Sequence, residues 1–369
     1  MCFMSMIKYL TISFCYFISI LFWIPTLATQ QVVTGKITDA ADGKPLFYAS
    51  IFIANTTVGT FSDESGNYKI IIPGEGSYEI VVTYLGYKSF FHKIEAPKSF
   101  HQINIALNRT DMEIQEVVVT PHKNYSQNDV DLFWYMLLRT KPSKKGMEVL
   151  NPEKVFFYFD SDSIFNALCD EPIEIVNHEM GYHIRYVLQY FQHNYTTNNT
   201  VFGGKPFFEE LTPQNNRQKS NWEKKRQEVY AVSITRFIRA LYRDQLHKEG
   251  FLLTKRDSLL NKNIFFPTAL DILQKDQDQV KINIESHLFL ACFSKPVTDK
   301  MIDNSDKLMF KSNEKLLGFD NKGIPVLLLL QQQFSIFPDG TYNGTLIIQE
   351  HQNQISGLSS MVPIEYNYY

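Results

Sequence analysis

The chain has 369 residues, 44% of them hydrophobic, 14% aromatic and 20% charged, which excludes global disorder and allows two domains with cores of their own. Its 36 basic side chains against 39 acidic ones leave a net charge of −3, so no overall field draws it to nucleic acid or anionic lipid.

In the first 31 residues Lys8 precedes an apolar run from Tyr9 to Leu27, with Thr26 and Ala28 as small residues before a cut. The pattern is a secretory signal cleaved after Ala28. The alternative is a retained membrane anchor over residues 9–27, since the run approaches spanning length. The polar exit Thr29-Gln30-Gln31 and the lack of a basic flank favour the signal. Phe14 before Cys15 disfavours a lipoprotein. Beyond the signal only Cys169 and Cys292 remain. They either pair or stay buried as small hydrophobes, and are too few for a disulfide scaffold or a cysteine zinc site.

From Val32 to Leu107 short runs alternate between apolar and polar residues. A strand at Val32 to Thr38 is followed by the turn "DAADGKP". A second run places Phe47, Ala49, Ile51 and Ile53 on one face, a third Tyr68, Ile70 and Ile72, a fourth Tyr78, Ile80, Val82 and Tyr84, and a last Ile103, Ile105 and Leu107. Period-two runs about ten residues apart, broken by Asp, Gly and Pro, predict a small antiparallel β-sandwich.

The order "VTGKITD", "GKPLFYASIFI", "VGTFSDESGNYKI", "GSYEIVVTYLGYK" and "EVVV" resembles the carboxypeptidase-regulatory-like domain, a transthyretin-like sandwich of exported Bacteroidetes proteins that also extends SusC-type TonB-dependent receptors. The resemblance implies a non-catalytic module over Val32 to about Val119. A receptor would continue into a plug and a large barrel, for which this chain is too short. Within the third motif, Asp63, Ser65 and Asn67 alternate around Gly66 as in a calcium loop, but the closing bidentate Glu is missing. A turn is expected there.

A linker over residues 108–128 carries a further strand at Glu116 to Thr120. Then Val130, Phe133, Trp134, Leu137 and Leu138 recur at helical spacing, with Asn128 or Asp129 as N-cap and Pro142 beyond the end. Strands are expected at Val155 to Phe159, Ile164 to Leu168, Ile173 to Val176, Tyr182 to Phe191 and Ile324 to Leu330, and a hairpin around Pro338, Asp339 and Gly340. One long helix is expected from Trp222 to Leu246, its stripe formed by Tyr230, Ile234, Phe237, Ile238 and Leu241. The expected organisation is a signal at 1–28, a sandwich at 29–107 and an α+β domain at 129–369. The stretches "EPIEIVNHEMGYHIRYVLQYF", "FFEEL" and "NWEKKRQEVYAVSITRFIRALYRDQLHKEGF" resemble a region found behind the same sandwich in other Bacteroidetes proteins, which implies architecture and no chemistry.

Among candidate sites, His178, Glu179 and His183 invite comparison with His-Glu-x-x-His zinc peptidases. The histidines are five apart rather than four, which on a helix separates them by about 140° and on a strand sends them to opposite faces. A hairpin at Met180 and Gly181 would be needed to reunite them. Arg236, Arg239 and Arg243, with Lys224, Lys225 and Arg226, form a basic helix side that reads as solvated. The aromatics of "YVLQYFQHNY" and "VFGGKPFF" read mainly as core, with a carbohydrate platform as the alternative. No Gly-x-Ser-x-Gly elbow, phosphate loop or dinucleotide fingerprint occurs. The expected function is therefore non-enzymatic, with no cofactor: an exported envelope protein of the periplasm or outer membrane that contacts protein or glycan. Alternatives are a metal-dependent hydrolase using His178, Glu179 and His183, and a membrane-anchored accessory factor of an outer-membrane uptake system.

Overall fold

Strand β1 (Val32–Asp39) buries every second residue, Val33, Gly35, Ile37 and Asp39. In an extended chain these share one face. Seven further strands complete the first domain: β2 (Ser50–Ile53), β3 (Gly59–Phe61), β4 (Asn67–Ile71), β5 (Gly76–Thr83), β6 (Phe90–Ala96), β7 (His101–Gln102) and β8 (Ile105–Leu107). One sheet has β1 between β4 and the β7/β8 pair, and the other runs β3-β2-β5-β6. Their facing side chains, including Ile37, Tyr68, Ile70, Ile51, Ile53, Ile80, Val82 and Ile105, form one core. This is the expected sandwich, antiparallel except that β7 and β8 run parallel to β1. The two are separated at Ile103, whose backbone N–H reaches the Thr34 carbonyl at 2.8 Å. A Cβ on Gly35 would lie 1.8 Å from the Ile103 carbonyl oxygen, so only glycine allows this approach.

The structure, a computed structural model, describes residues 31–96, 101–110, 124–231 and 233–257, and beyond these 262–265, 273–276, 279–282, 288–292, 296–298, 325–330, 334–343, 346–349, 358 and 361–366. The expected signal and the expected strand at Glu116 to Thr120 lie outside them. The described residues belong to one unit, Gln31–Tyr369. No helix among them is long and apolar enough to cross a membrane.

Two expectations in the sandwich shift. Phe47 does not join the buried face: the chain bends at Phe47 and Tyr48, Tyr48 has a left-handed φ of 64°, and β2 starts only at Ser50. Residues 108–110 stay on the sandwich. Lys88 donates to the Asn108 carbonyl and Thr110 to that of Gly86, while Arg109 Nε and Nη2 reach Asp39 Oδ2 at 2.8 and 2.6 Å. Tyr87, the Ala41 N–H and Arg109 together hold the Asp39 carboxyl down to about 2.

Helix α1 (Gln127–Leu138) buries Phe133, Trp134, Leu137 and Leu138 as its spacing predicts. Its N-cap is Ser126 rather than Asn128 or Asp129. Asp129 instead closes the capping box, accepting the Ser126 N–H and hydroxyl at 2.7 Å each. The helix lies on a six-stranded antiparallel sheet of β9 (Met147–Val149), β10 (Phe156–Ser161), β11 (Ile164–Leu168), β12 (Ile173–Asn177), β13 (Tyr182–Asn194) and β14 (Asn199–Glu210). Phe133 meets Phe157 and Phe191 edge-on, with centroids 5.2 and 4.9 Å apart.

The expected long helix is two, α2 (Asn216–Ala231) and α3 (Ile234–Tyr242). Ser233 between them is extended, and its hydroxyl accepts the Arg236 N–H at 3.2 Å. A cap inside the β-branched run Val232 to Thr235 ends one helix and starts the next. Further antiparallel strands follow: β15 (Phe251–Asp257), β16 (Lys262–Phe265), β17 (Leu273–Asp276), β18 (Gln279–Ile282), β19 (Leu288–Cys292), β20 (Pro325–Leu330), β21 (Phe334–Ile336), β22 (Tyr342–Asn343) and β23 (Leu346–Gln349). They form a sheet ordered β16-β15-β19-β20-β23 and another ordered β17-β18-β21-β22, with the expected hairpin at Pro338 to Gly340. The chain is thus a β-sandwich followed by an α+β region.

The sandwich and that region share a core. Strand β5 is buried on both faces, because Phe52, Ala54 and Val81 on the outer side of the β2-β5 sheet pack on Val187 and Phe207 of the β13-β14 hairpin. The Phe52 and Phe207 ring centroids are 5.0 Å apart. Backbone bonds reinforce the seam: the Asn55 N–H donates to the Pro206 carbonyl, the Phe208 N–H to that of Thr56, and the Ile364 N–H to that of Asn55.

Two substitutions test this. Gly35→Ala should destabilise by about 3 kcal/mol in urea unfolding, the upper range for overpacking, whereas Gly43→Ala, at a left-handed φ with nothing within 4 Å, should cost about 1 kcal/mol. Phe207→Ala should cost about 3–5 kcal/mol and split one unfolding transition into two; a single unshifted transition would refute the shared core.

Candidate functional site

Beyond the Phe52 and Phe207 contact the two sheets diverge and leave a cavity of about 250 Å³ lined by Ser50, Thr57, Gly59, Thr60, Phe61, Arg185, Phe207, Phe208, Glu209 and Glu210. Register explains which side chains meet there. Ser50 pairs with Phe61 across β2 and β3, and Arg185 pairs with Phe207 across β13 and β14, so each pair faces one way. Gly59 keeps the gap open, for a Cβ there would stand 2.7 Å from the Phe207 ring.

Arg185 organises the floor. Its Nη1 reaches Ser50 Oγ at 3.3 Å, its Nη2 reaches Glu209 Oε1 at 3.1 Å, and its guanidinium carbon sits 4.7 Å from the Phe207 ring centroid. The buried Nε has no acceptor among the described residues. Glu210 Oε1 takes Arg226 Nη1 at 3.1 Å, and Glu365 Oε1 accepts both the N–H and the hydroxyl of Thr57. At the mouth stand Phe47, Tyr48 and Phe61, which are 53%, 61% and 41% exposed. The Tyr48 and Phe61 rings stack 4.3 Å apart at an interplanar angle of 4°.

Phe207 and Phe208 fall in the stretch "VFGGKPFF" weighed as a carbohydrate platform, and Arg226 in the basic helix side; the others are not among the candidate residues of the sequence. Their one signal is the charged pair Arg185 and Glu209 inside strands otherwise rich in aromatics.

The histidines go elsewhere. The β12-β13 hairpin is present, with Asn177 Oδ1 taking the N–H groups of Glu179 and Met180 and Gly181 at φ 67° beneath the Trp222 ring. His178 Nε2 faces Glu148 Oε2 of β9 at 2.8 Å. Glu179 Oε2 is 3.6 Å from Lys225 Nζ. His183 sits between two carboxylates, Nε2 at 2.7 Å from Glu174 Oε2 and Nδ1 at 3.0 Å from Glu209 Oε2. Each of the three residues thus has its own partner, a carboxylate for His178 and His183 and an amine for Glu179. Among the described residues no group of three or more His, Cys, Asp or Glu is placed to hold a metal ion. In the Asp63 loop, Oδ1 accepts the N–H groups of Ser65 and Asn67 at 2.9 and 2.8 Å, which makes the stretch a turn. Cys169 is a free thiol that burial pushes up to about 11; the Cys292 side chain lies outside the description.

The basic side expected to be solvated is so only in part: Lys224 and Arg243 are exposed. Arg226 is 8% exposed and Arg239 6%. Arg226 donates to the Met180 and Gly181 carbonyls and covers the Tyr182 ring at 4.0 Å. Arg239 donates to the carbonyls of Asp339, Tyr366 and Ile364 and to the Tyr230 hydroxyl, at 2.6 to 2.9 Å. Arg236 bonds Glu249 and lies over Phe251. The aromatics of the β13-β14 hairpin divide: Tyr186 and Phe191 join the core, while exposed Tyr190 lies across Gly203.

Glu174 foremost, then Glu209, raise the His183 pKa above the usual 6.5, against desolvation. The stability this contributes is full below 6.5 and is lost as pH rises through the elevated folded value. The stability difference between wild type and His183→Gln should therefore be larger at about pH 6 than at about pH 9; urea unfolding at the two pH values checks the sign.

Residues 33–119 match the family model described as the CarboxypepD_reg-like domain. The chain is 30% identical over 103 residues to TonB-dependent receptor P3 of Formosa agariphila, an alignment covering 28% of this chain and 10% of the relative. It thus spans about a tenth of that relative's length. Among solved structures, the group B streptococcus pilus 2b backbone protein aligns at 15% identity and a TM-score of 0.20, over 22% of this chain and 42% of that one. The Bacillus anthracis TIE protein aligns at 14% identity and a TM-score of 0.19, over 50% and 32%. Scores this low carry no argument about this fold. The strand order, core and sequence motifs of the first domain agree with the family match, and residues 33–119 are a CarboxypepD_reg-like domain.

Proposed function

We propose that the chain is an exported, non-enzymatic binding protein of the bacterial cell envelope, working in the periplasm or at the outer membrane through contacts with protein or glycan. The observation that carries this reading is the aromatic step at the cavity mouth. Phe47, Tyr48 and Phe61 are large, exposed and adjacent, and an apolar group of this kind on a protein surface is a contact site. Tyr48 also holds a left-handed backbone that costs on the order of 1–3 kcal/mol in a non-glycine residue. The fold maintains it through a clamp: the Tyr48 N–H donates to the Ser62 carbonyl, and the Ser62 hydroxyl bridges the Ala49 N–H and the Leu46 carbonyl at 2.8 and 2.6 Å. Strain kept at an exposed ring supports a role for that ring in contact.

Envelope placement is supported by the signal-like run at residues 9–27 and by a domain shared with a TonB-dependent receptor. The non-enzymatic reading is supported by the separate carboxylate partners of His178 and His183.

The test is retention of solubilised native envelope material on the immobilised mature chain. Tyr48→Ser combined with Phe61→Ser should abolish what the wild type retains while leaving urea unfolding within about 1 kcal/mol, since both rings are exposed. Identical retention by both forms would sink the reading. N-terminal sequencing of the exported protein should begin at Thr29; an intact N-terminus would replace secretion with anchoring.

A further inference from the structure

The cavity between β3 and the β13-β14 hairpin has a chemistry that narrows what it can take. Its charges are balanced internally. Glu209 lies against Arg185 and His183, and Glu210 against Arg226. Glu210 and Arg226 lie on the other face of β14, with Tyr182, so an anion entering would meet the Glu209 carboxylate and a cation the Arg185 guanidinium; a neutral ligand meets neither penalty.

The remaining groups are hydrogen-bonding ones of both kinds. Ser50 Oγ accepts from Arg185 and keeps its proton to donate. Arg185 Nη1 and Nη2 each give one N–H to Ser50 and Glu209 and each carry a second. A hydroxyl both donates and accepts, so a ligand bearing several of them satisfies this set.

The walls add the other half of the match. Phe61 lines the cavity and carries Tyr48 stacked parallel to it, and aromatic faces pack well against the C–H side of a sugar ring. The volume of about 250 Å³ falls below the roughly 300–1,000 Å³ of pockets that enclose a whole drug-sized ligand. It fits one ring of a longer chain, the next passing over the exposed step at Tyr48 and Phe47.

We infer that this cavity is a subsite for one pyranose unit of a neutral, hydroxyl-rich glycan. The inference rests on the binding role proposed above and names its ligand. The second N–H of each Arg185 Nη and the Ser50 hydroxyl bond ring hydroxyls, and Phe61 and Tyr48 carry the neighbouring unit. The neutral ligand distinguishes this site from a peptide groove, which would use the free edge of β3, the outer strand of its sheet.

The full chain is titrated by calorimetry with tetrasaccharides of gluco, manno, xylo and galacto configuration, with an oligogalacturonate as the acidic counterpart and an unstructured peptide as the third arm. At least one neutral tetrasaccharide should bind more tightly than roughly 1 mM. Arg185→Lys, which keeps the charge and loses the fork, should weaken it by roughly tenfold or more. Phe61→Ala, at an exposed position outside the core, should do the same and serves if the arginine variant does not fold. The inference is overturned if no neutral tetrasaccharide binds, if both variants bind as wild type does, or if only the acidic sugar or the peptide binds. Retention of envelope protein with all neutral sugars failing would overturn this inference and leave the binding role standing.

Discussion

The contact between Phe52 and Phe207 decides how the rest of the molecule is arranged. A sandwich sheet ordinarily has one face in its core and one in water. Here the second face of β2 and β5 is also dry, because Phe52 and Val81 are covered by Val187 and Phe207. Once those residues meet, the backbone around Asn55 and Thr56 is fixed against Pro206 and Phe208, and the sheets can separate only beyond the rings. The cavity is the space left by that separation, so the position of Arg185 relative to Ser50 follows from the packing behind it.

Arginine does the connecting where apolar packing runs out. A buried guanidinium is costly unless its donors are filled. Arg239 spends them on neutral acceptors from three parts of the chain, the α2 end at Tyr230, the turn at Asp339 and the segment at Ile364 and Tyr366. The Asp339 carboxylate in turn receives the Tyr78 hydroxyl of β5 at 2.6 Å, and Thr341 Oγ1 receives the Ser77 N–H. One side chain therefore links helix, hairpin and sandwich.

This explains what was readable in advance. Alternation in β1, β4 and β5 and the stripe of α1 depend on neighbours in sequence, and the structure follows both. Phe47 departs because a turn, not a strand, carries the ring outward. The arginines of α2 and α3 look like a solvated side because helical periodicity records where a residue sits and not which carbonyls lie opposite. The broken helix was signalled by Ser233 among β-branched residues, a local cue outweighed by the longer stripe. The cavity had no local signature beyond the charges of Arg185 and Glu209 in aromatic strands: Ser50 and Arg185 are 135 residues apart, and no local pattern brings them together.

The seam at Asn55 has a consequence for the order of assembly. Ile364 donates to Asn55 and Glu365 takes both donors of Thr57, partners 308 positions apart. During synthesis the sandwich is complete at Leu107, long before this clasp exists, and the Val187 and Phe207 that cover its outer sheet arrive about 100 residues later, an interval of about 5–20 s at about 5–20 residues per second. Through it Phe52 and Val81 form an uncovered greasy strip on an otherwise folded domain, so the chain is most open to mispairing not when it is least folded but when its first domain is already finished.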